Sequence, residues 1–199
     1  MINIYPSALL VPAHPSKYRI MDPKRTTFDL IILHITSGRA DPMKTAQMFA
    51  APYLPPPAAG QPDTRPANFR KKSSAHFVVG QKPENLEPII QCVDIGDVAI
   101  HAHDASVRSV GIEHCAREPG ELGANDPGLP ITVPQFQKSA RLVAWLCRVA
   151  GLPIDRTHIQ GHAEADPKTT HSKCPMGAPG WNWDTYMQMV EDAVSGLTF

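Results

Sequence analysis

The sequence predicts an α/β fold, a single domain with a central mixed β-sheet flanked by α-helices. Three observations carry that expectation. Phe28-Asp-Leu-Ile-Ile-Leu-His-Ile35 is a short, almost continuously apolar run rich in β-branched residues, the signature of a strand covered on both faces. An amphipathic helix is marked at both of its ends further along. Strand and helix signals alternate loosely over 199 residues, 42% of them apolar, enough for one sizeable core and short for two.

After the first strand, Asp41-Pro42 offers a cap followed by proline at the first helical position. Met43, Ala46, Phe49 and Ala50 form an apolar stripe, and Pro52 ends the helix. Residues 52–72 then shift to Pro, Ala and polar types, including Pro55-Pro56-Pro57. This is a long loop, either a mobile flap or part of a groove wall, and a candidate for substrate choice. Strands are expected at 75–80, 89–94 and 108–115. Thr132-Val-Pro-Gln135 reads as a capping box. Phe136, Ala140, Val143, Cys147 and Ala150 follow on one helical face, stopped by Gly151 and Pro153. A short extended piece leads to Gly161-His162. A last helix begins around 182–184 and turns Trp183, Tyr186, Met187, Val190 and Val194 inward.

Composition excludes several functions. Lys+Arg and Asp+Glu are both 19, a formal net charge of zero, which argues against nucleic acid as the partner. No apolar run reaches the roughly 18 residues a membrane span needs. Met1-Ile-Asn-Ile-Tyr-Pro6 lacks the basic and apolar regions of a signal peptide. The protein is therefore expected in the cytoplasm, or released by a non-standard route such as a holin or a dedicated secretion machine. A monomer is the expected form. Four scattered cysteines without a CxxC pair do not form a disulfide framework. Cys92, Cys115, Cys147 and His114 read as core residues.

Nine histidines raise the question of a metal. His34 ends the apolar strand, as either a hydrogen-bonded core histidine or a ligand. The segment His158-Ile-Gln-Gly-His162-Ala-Glu-Ala-Asp-Pro-Lys-Thr-Thr-His171-Ser-Lys-Cys174-Pro175 is an irregular polar loop with little to bury. Zinc is the target its chemistry suits, because neutral imidazole and thiolate are the preferred ligands of that ion. His101-Ala-His103 is a rival pair, two imidazoles placed on one strand face. His76 alternates with Phe77 and reads as structural or as a groove contact.

The series Ile31-Ile-Leu-His34, Ser74-Ala-His-Phe-Val-Val79, Ser109-Val-Gly-Ile-Glu113, Gly161-His162, Cys174-Pro175 and Trp181-Asn-Trp-Asp184 resembles the zinc-dependent N-acetylmuramoyl-L-alanine amidases, including the phage T7 lysozyme type and the peptidoglycan recognition proteins. The resemblance spans residues 28 to 190. It implies a mixed sheet, a zinc ion in an open groove, and hydrolysis of the amide joining the lactyl group of N-acetylmuramic acid to L-alanine. It implies that His34, His162 and Cys174 bind the metal and that Glu113 acts on water. Ala75 stands where one branch has a catalytic tyrosine, which leaves the acid/base work to Glu113. Ser172 stands where relatives often have Lys or His, so His171 or Lys173 is expected to assist the transition state. His101 aligns with a groove histidine and, with His76, is the expected substrate contact. Peptidoglycan or muropeptides are the implied partners. A non-catalytic binding module on the same fold and a zinc hydrolase of another amide are the rivals.

Overall fold

The computed structural model describes residues 4–38 and 40–196. The apolar run folds as β3 (Leu30–Ile35), all six residues buried. Its parallel neighbour β7 (Ser109–His114) pairs along the full length, with His34 opposite Glu113. On the other side β8 (Ile159–Gly161) runs parallel to β3 and sets Gly161 opposite Leu33. Beyond β7 come β4 (Phe77–Val79), β5 (Ile90–Gln91) and β1 (Leu9–Leu10), which completes the order β1-β5-β4-β7-β3-β8. Only the β4/β5 pair is antiparallel, so the sheet is mixed as expected. A separate ribbon pairs β2 (Tyr18–Arg19) with β6 (Val98–Ala99).

Side-chain alternation assigns the two faces. Ile31, Leu33 and Ile35 join Val110, Ile112, Phe77 and Val79 in the main core. That core is roofed by α2 (Val133–Ala150) and α4 (Trp183–Ser195), which pack against each other. The predicted capping box at Thr132/Gln135 is formed, and Gly151 closes α2 at φ 68°, a left-handed position that favours glycine. Tyr186 and Val190 of α4 are fully buried, while Trp183, Met187 and Val194 pack on the core from its rim. The opposite face carries α1 (Pro42–Ala50), capped by Asp41, whose Ala46 and Phe49 cover Val78, Ile90 and Cys115. Leu30, Ile32 and Ala102 form a third small cluster on that side.

The expected strands at 75–80 and 89–94 are shorter in the structure, and β1, β2 and β6 carry no sequence signal. Two-residue strands are too short to display a period. The polar segment after β8 is also not wholly irregular: it opens with one helical turn, α3 (His162–Ala165). Glu164 accepts the Gly161 N–H at 2.6 Å and so satisfies a donor at the helix start. All four cysteines are buried and free. Among the described residues no helix is long and apolar enough to cross a membrane.

Candidate active site

The site lies on the α1 face of the sheet, at the C-terminal ends of the parallel strands. On β3 the even positions point there, and His34 is the last of them. Glu113 faces the same way because it pairs with His34 in register. His162 follows β8 directly, beside β3. Cys174 returns along the loop after α3, tied by the Ala163 N–H to its carbonyl at 3.0 Å. Its sulfur accepts the Ile35 N–H at 3.3 Å. The structure thus gathers His34, His162 and Cys174, all buried, with one donor atom from each lying within 4.8 Å of the others.

This close approach depends on Gly161. A Cβ there would sit 2.6 Å from Pro175 Cδ and 3.2 Å from the Cys174 carbonyl oxygen. Gly161→Ala is therefore expected to push the Cys174 loop outward and weaken metal binding by about tenfold or more, in the range seen for disturbed outer-shell partners. Zinc titration against a chromogenic chelator measures it, with the far-UV spectrum unchanged.

Hydrogen bonds assign the protons. Ser109 Oγ donates to the Ala105 carbonyl at 2.7 Å, so its oxygen accepts from His101 Nε2 at 3.3 Å. His101 Nδ1 is then the acceptor, and His34 Nε2 must donate to it at 3.0 Å. His34 Nδ1 is left with a bare lone pair. His162 Nε2 donates to the Asp166 carboxylate at 3.3 Å, which likewise frees its Nδ1. Burial, reinforced by the neighbouring imidazoles, pushes the His34 pKa well below its ordinary value, and burial also lowers that of His162. Both rings are neutral, as metal ligands must be. Burial raises the Cys174 thiol, so a thiolate in this place requires a cation beside it. Two oriented neutral imidazoles and a buried thiol fit a divalent zinc ion.

Glu113 completes the floor. Its Oε2 is buried with no hydrogen-bond partner, and burial pushes its pKa up to about 8, opposed by the positive charge of Lys71. The groove above has a cavity of about 330 Å³. His34, His101, Glu113, His162, His171 and Cys174 line it, as do Asn68 and Lys71 from the Pro-rich segment. That segment is therefore a wall of the groove. Sequence reasoning misses Lys71, because a lysine closing a Pro-rich stretch carries no signal of what it faces.

The expected site residues divide as follows. His171 lines the cavity and stacks on His162 with ring centroids 5.9 Å apart. Lys173 is exposed and does not line the cavity. His101 lines it and also orients His34. His76 does not reach it, which corrects the expectation of a substrate contact. It is fully buried; its Nδ1 accepts the Gly111 N–H at 3.0 Å, and its Nε2 faces the Asp97 carbonyl and Arg25. It stands just before β4, and hydrogen-bond partners occupy both of its nitrogens. His101 and His103 do not share a strand face either. They follow β6, and His103 instead pairs its Nδ1 with Asp166 at 2.6 Å. Gly111 explains where His101 rests, since a Cβ on that glycine would meet the His101 ring at 2.6 Å. Ala75, at the tyrosine position of related enzymes, is buried under α1.

Two imidazoles and a thiol beside an unpartnered carboxyl, in an open groove on a mixed sheet, form the layout of a hydrolase. Residues 24–177 match the family described as N-acetylmuramoyl-L-alanine amidase, and the chain belongs to that family. No curated protein matches it in sequence. Among solved structures it is similar to a selenomethionine derivative of AmpD, with a TM-score of 0.65 at 18% identity over 94% of this chain and 97% of that one. It is similar to PlyL, with a TM-score of 0.58 at 16% identity, over 94% and 97% of the two chains. It is also similar to AmiD from E. coli, with a TM-score of 0.58 at 17% identity, covering 86% of this chain and 60% of that one. At these identities the likeness speaks for the fold.

Proposed function

We propose that this amidase hydrolyses the bond between the lactyl carbonyl of N-acetylmuramic acid and the L-alanine nitrogen of the stem peptide, with zinc held by His34, His162 and Cys174. The observation that carries the reading is the hydrogen-bond chain that leaves a bare Nδ1 on both histidines, in a cluster where one donor atom of each histidine lies within 4.8 Å of the Cys174 sulfur. The AmiD structure is described as a complex with the substrate anhydro-N-acetylmuramic acid-L-Ala-D-γ-Glu-L-Lys, which supports the substrate class. When bound, the ion supplies Lewis acidity to the scissile carbonyl and to the attacking water.

The chain's own residues do the rest. Glu113 takes the proton of the attacking water on its unpartnered Oε2 and passes it to the alanine nitrogen as the C–N bond breaks. The products are a lactyl carboxylate and a free alanine amine. His171 donates a hydrogen bond to the carbonyl oxygen as negative charge collects there. Lys71 opposes the effect of burial and so favours the ionised form of Glu113. A pure binding module would have no use for the buried, unpaired carboxyl of Glu113.

The test is incubation with purified peptidoglycan, with and without a chelator. New alanine amino termini are expected without new reducing sugar ends, abolished by the chelator and restored by zinc. Release of reducing ends, or of amino termini other than alanine, would replace this reading by another hydrolase.

A further inference from the structure

Lys17 is fully buried, and no carboxylate pairs with it among the described residues. A buried ammonium without a counter-charge is costly unless backbone carbonyls solvate it. Two do: Lys17 Nζ donates to the Met48 carbonyl in the last turn of α1 and, at 2.8 Å, to the Asn68 carbonyl in the groove wall. The turn around it, Pro15–Lys17, makes further ties. Ser16 Oγ accepts the Tyr53 N–H at 2.8 Å, where the wall begins. The His14 N–H donates to the Phe49 carbonyl at 2.9 Å, and Ser74 Oγ donates to the Lys17 carbonyl at 2.7 Å. Met48, Phe49, Asn68 and Ser74 all line the cavity. Otherwise the wall is held mainly to itself, through the Leu54 N–H to the Phe69 carbonyl and through Arg65 with Asp63.

We propose that Lys17 is the positioning residue of the substrate groove: its ammonium clamps Asn68 to the end of α1 and so holds the groove wall in place. Lys17 touches neither substrate nor the metal ligands. Its effect falls on substrate binding, and that part of the inference rests on the amidase reading above.

Lys17→Met keeps the length and the apolar stem and removes the donors. Its KM for peptidoglycan is expected to rise about tenfold, the weight of roughly one charge-assisted hydrogen bond. Its kcat should stay within about twofold, as befits lost ground-state positioning, with zinc content unchanged. Protease cleavage between residues 52 and 72 should be faster than in the parent. An unchanged KM, or a fall in kcat together with zinc content, would overturn the proposal. If Lys17→Met does not fold, Ser16→Ala releases Tyr53 from the same turn: a raised KM at constant kcat supports the clamp and an unchanged KM sinks it. Should the parent release no alanine amino termini, the amidase reading fails, but the cleavage comparison still decides the clamp. Faster cutting in the variant supports it, and equal cutting overturns it.

Discussion

Glu113→Gln is expected to lower kcat on peptidoglycan by about 10²–10⁴-fold, the usual contribution of a general base, while bound zinc stays stoichiometric. The amide has the carboxyl's shape but cannot take a proton from water, and Glu113 is not one of the three converging donors. Metal analysis beside the kinetics separates this result from loss of the site; activity equal to the parent would remove Glu113 from the mechanism. A second readout comes from pH. In chelator-treated protein Glu113 holds its proton up to about 8, against an ordinary value of 4.5. Between those values the folded state binds a proton that the unfolded chain has released, so stability falls as pH rises through the window and levels off above it. Chemical unfolding of the metal-free parent should show that decline, and Glu113→Gln should flatten it.

Cys174→Ala is expected to weaken zinc binding by well over about 100-fold, beyond what loss of an outer-shell partner produces. Cys174 is 4% exposed, and its sulfur lies in the cluster with His34 and His162 and accepts the Ile35 N–H. Removing it takes away the only anionic member of the proposed ligand set and leaves one backbone donor unpaired, a loss of about 1 kcal/mol. The metal-free stability should therefore change little while zinc content collapses, and activity should follow the zinc. Asp166→Asn is the graded control. It keeps all three proposed ligands but weakens the acceptor for His162 Nε2, so its zinc affinity should fall by about 10- to 100-fold. Equal zinc affinity in Cys174→Ala and the parent would remove the sulfur from the donor set.

Much of the fold was legible because its signals are local. The run ending in Ile35 has no polar residue between Leu30 and Leu33 and folds as the central strand. The Thr132/Gln135 box and Gly151 mark the ends of α2 by chemistry that lies within a few residues of each end. The convergence of His34, Glu113, His162 and Cys174 was legible only through the family resemblance, since their spacing alone left His34 open between core and site.

Other features escaped because no local pattern encodes them. The strands β1, β2 and β6 are two residues long, and such pairs exist only where a partner strand lies alongside. His76 and His101 looked alike in sequence, yet one is walled in by Arg25, Asp97 and Gly111 while the other reaches the groove. Lys17 and Lys71 are ordinary lysines until the chain folds, when one becomes a buried clamp and the other faces Glu113.

The sequence by itself determined the element types, the apolar faces, the helix ends and the presence of ligand-grade side chains, because these follow from periodicity and from residue chemistry within short windows. Tertiary structure alone decided which nitrogen of each histidine is free, which loop residues wall the groove and which histidines are shut out of it. Those outcomes depend on contacts across wide separations, such as the 67 residues between His34 and His101 or the 51 between Lys17 and Asn68. The backbone must close before either contact can exist.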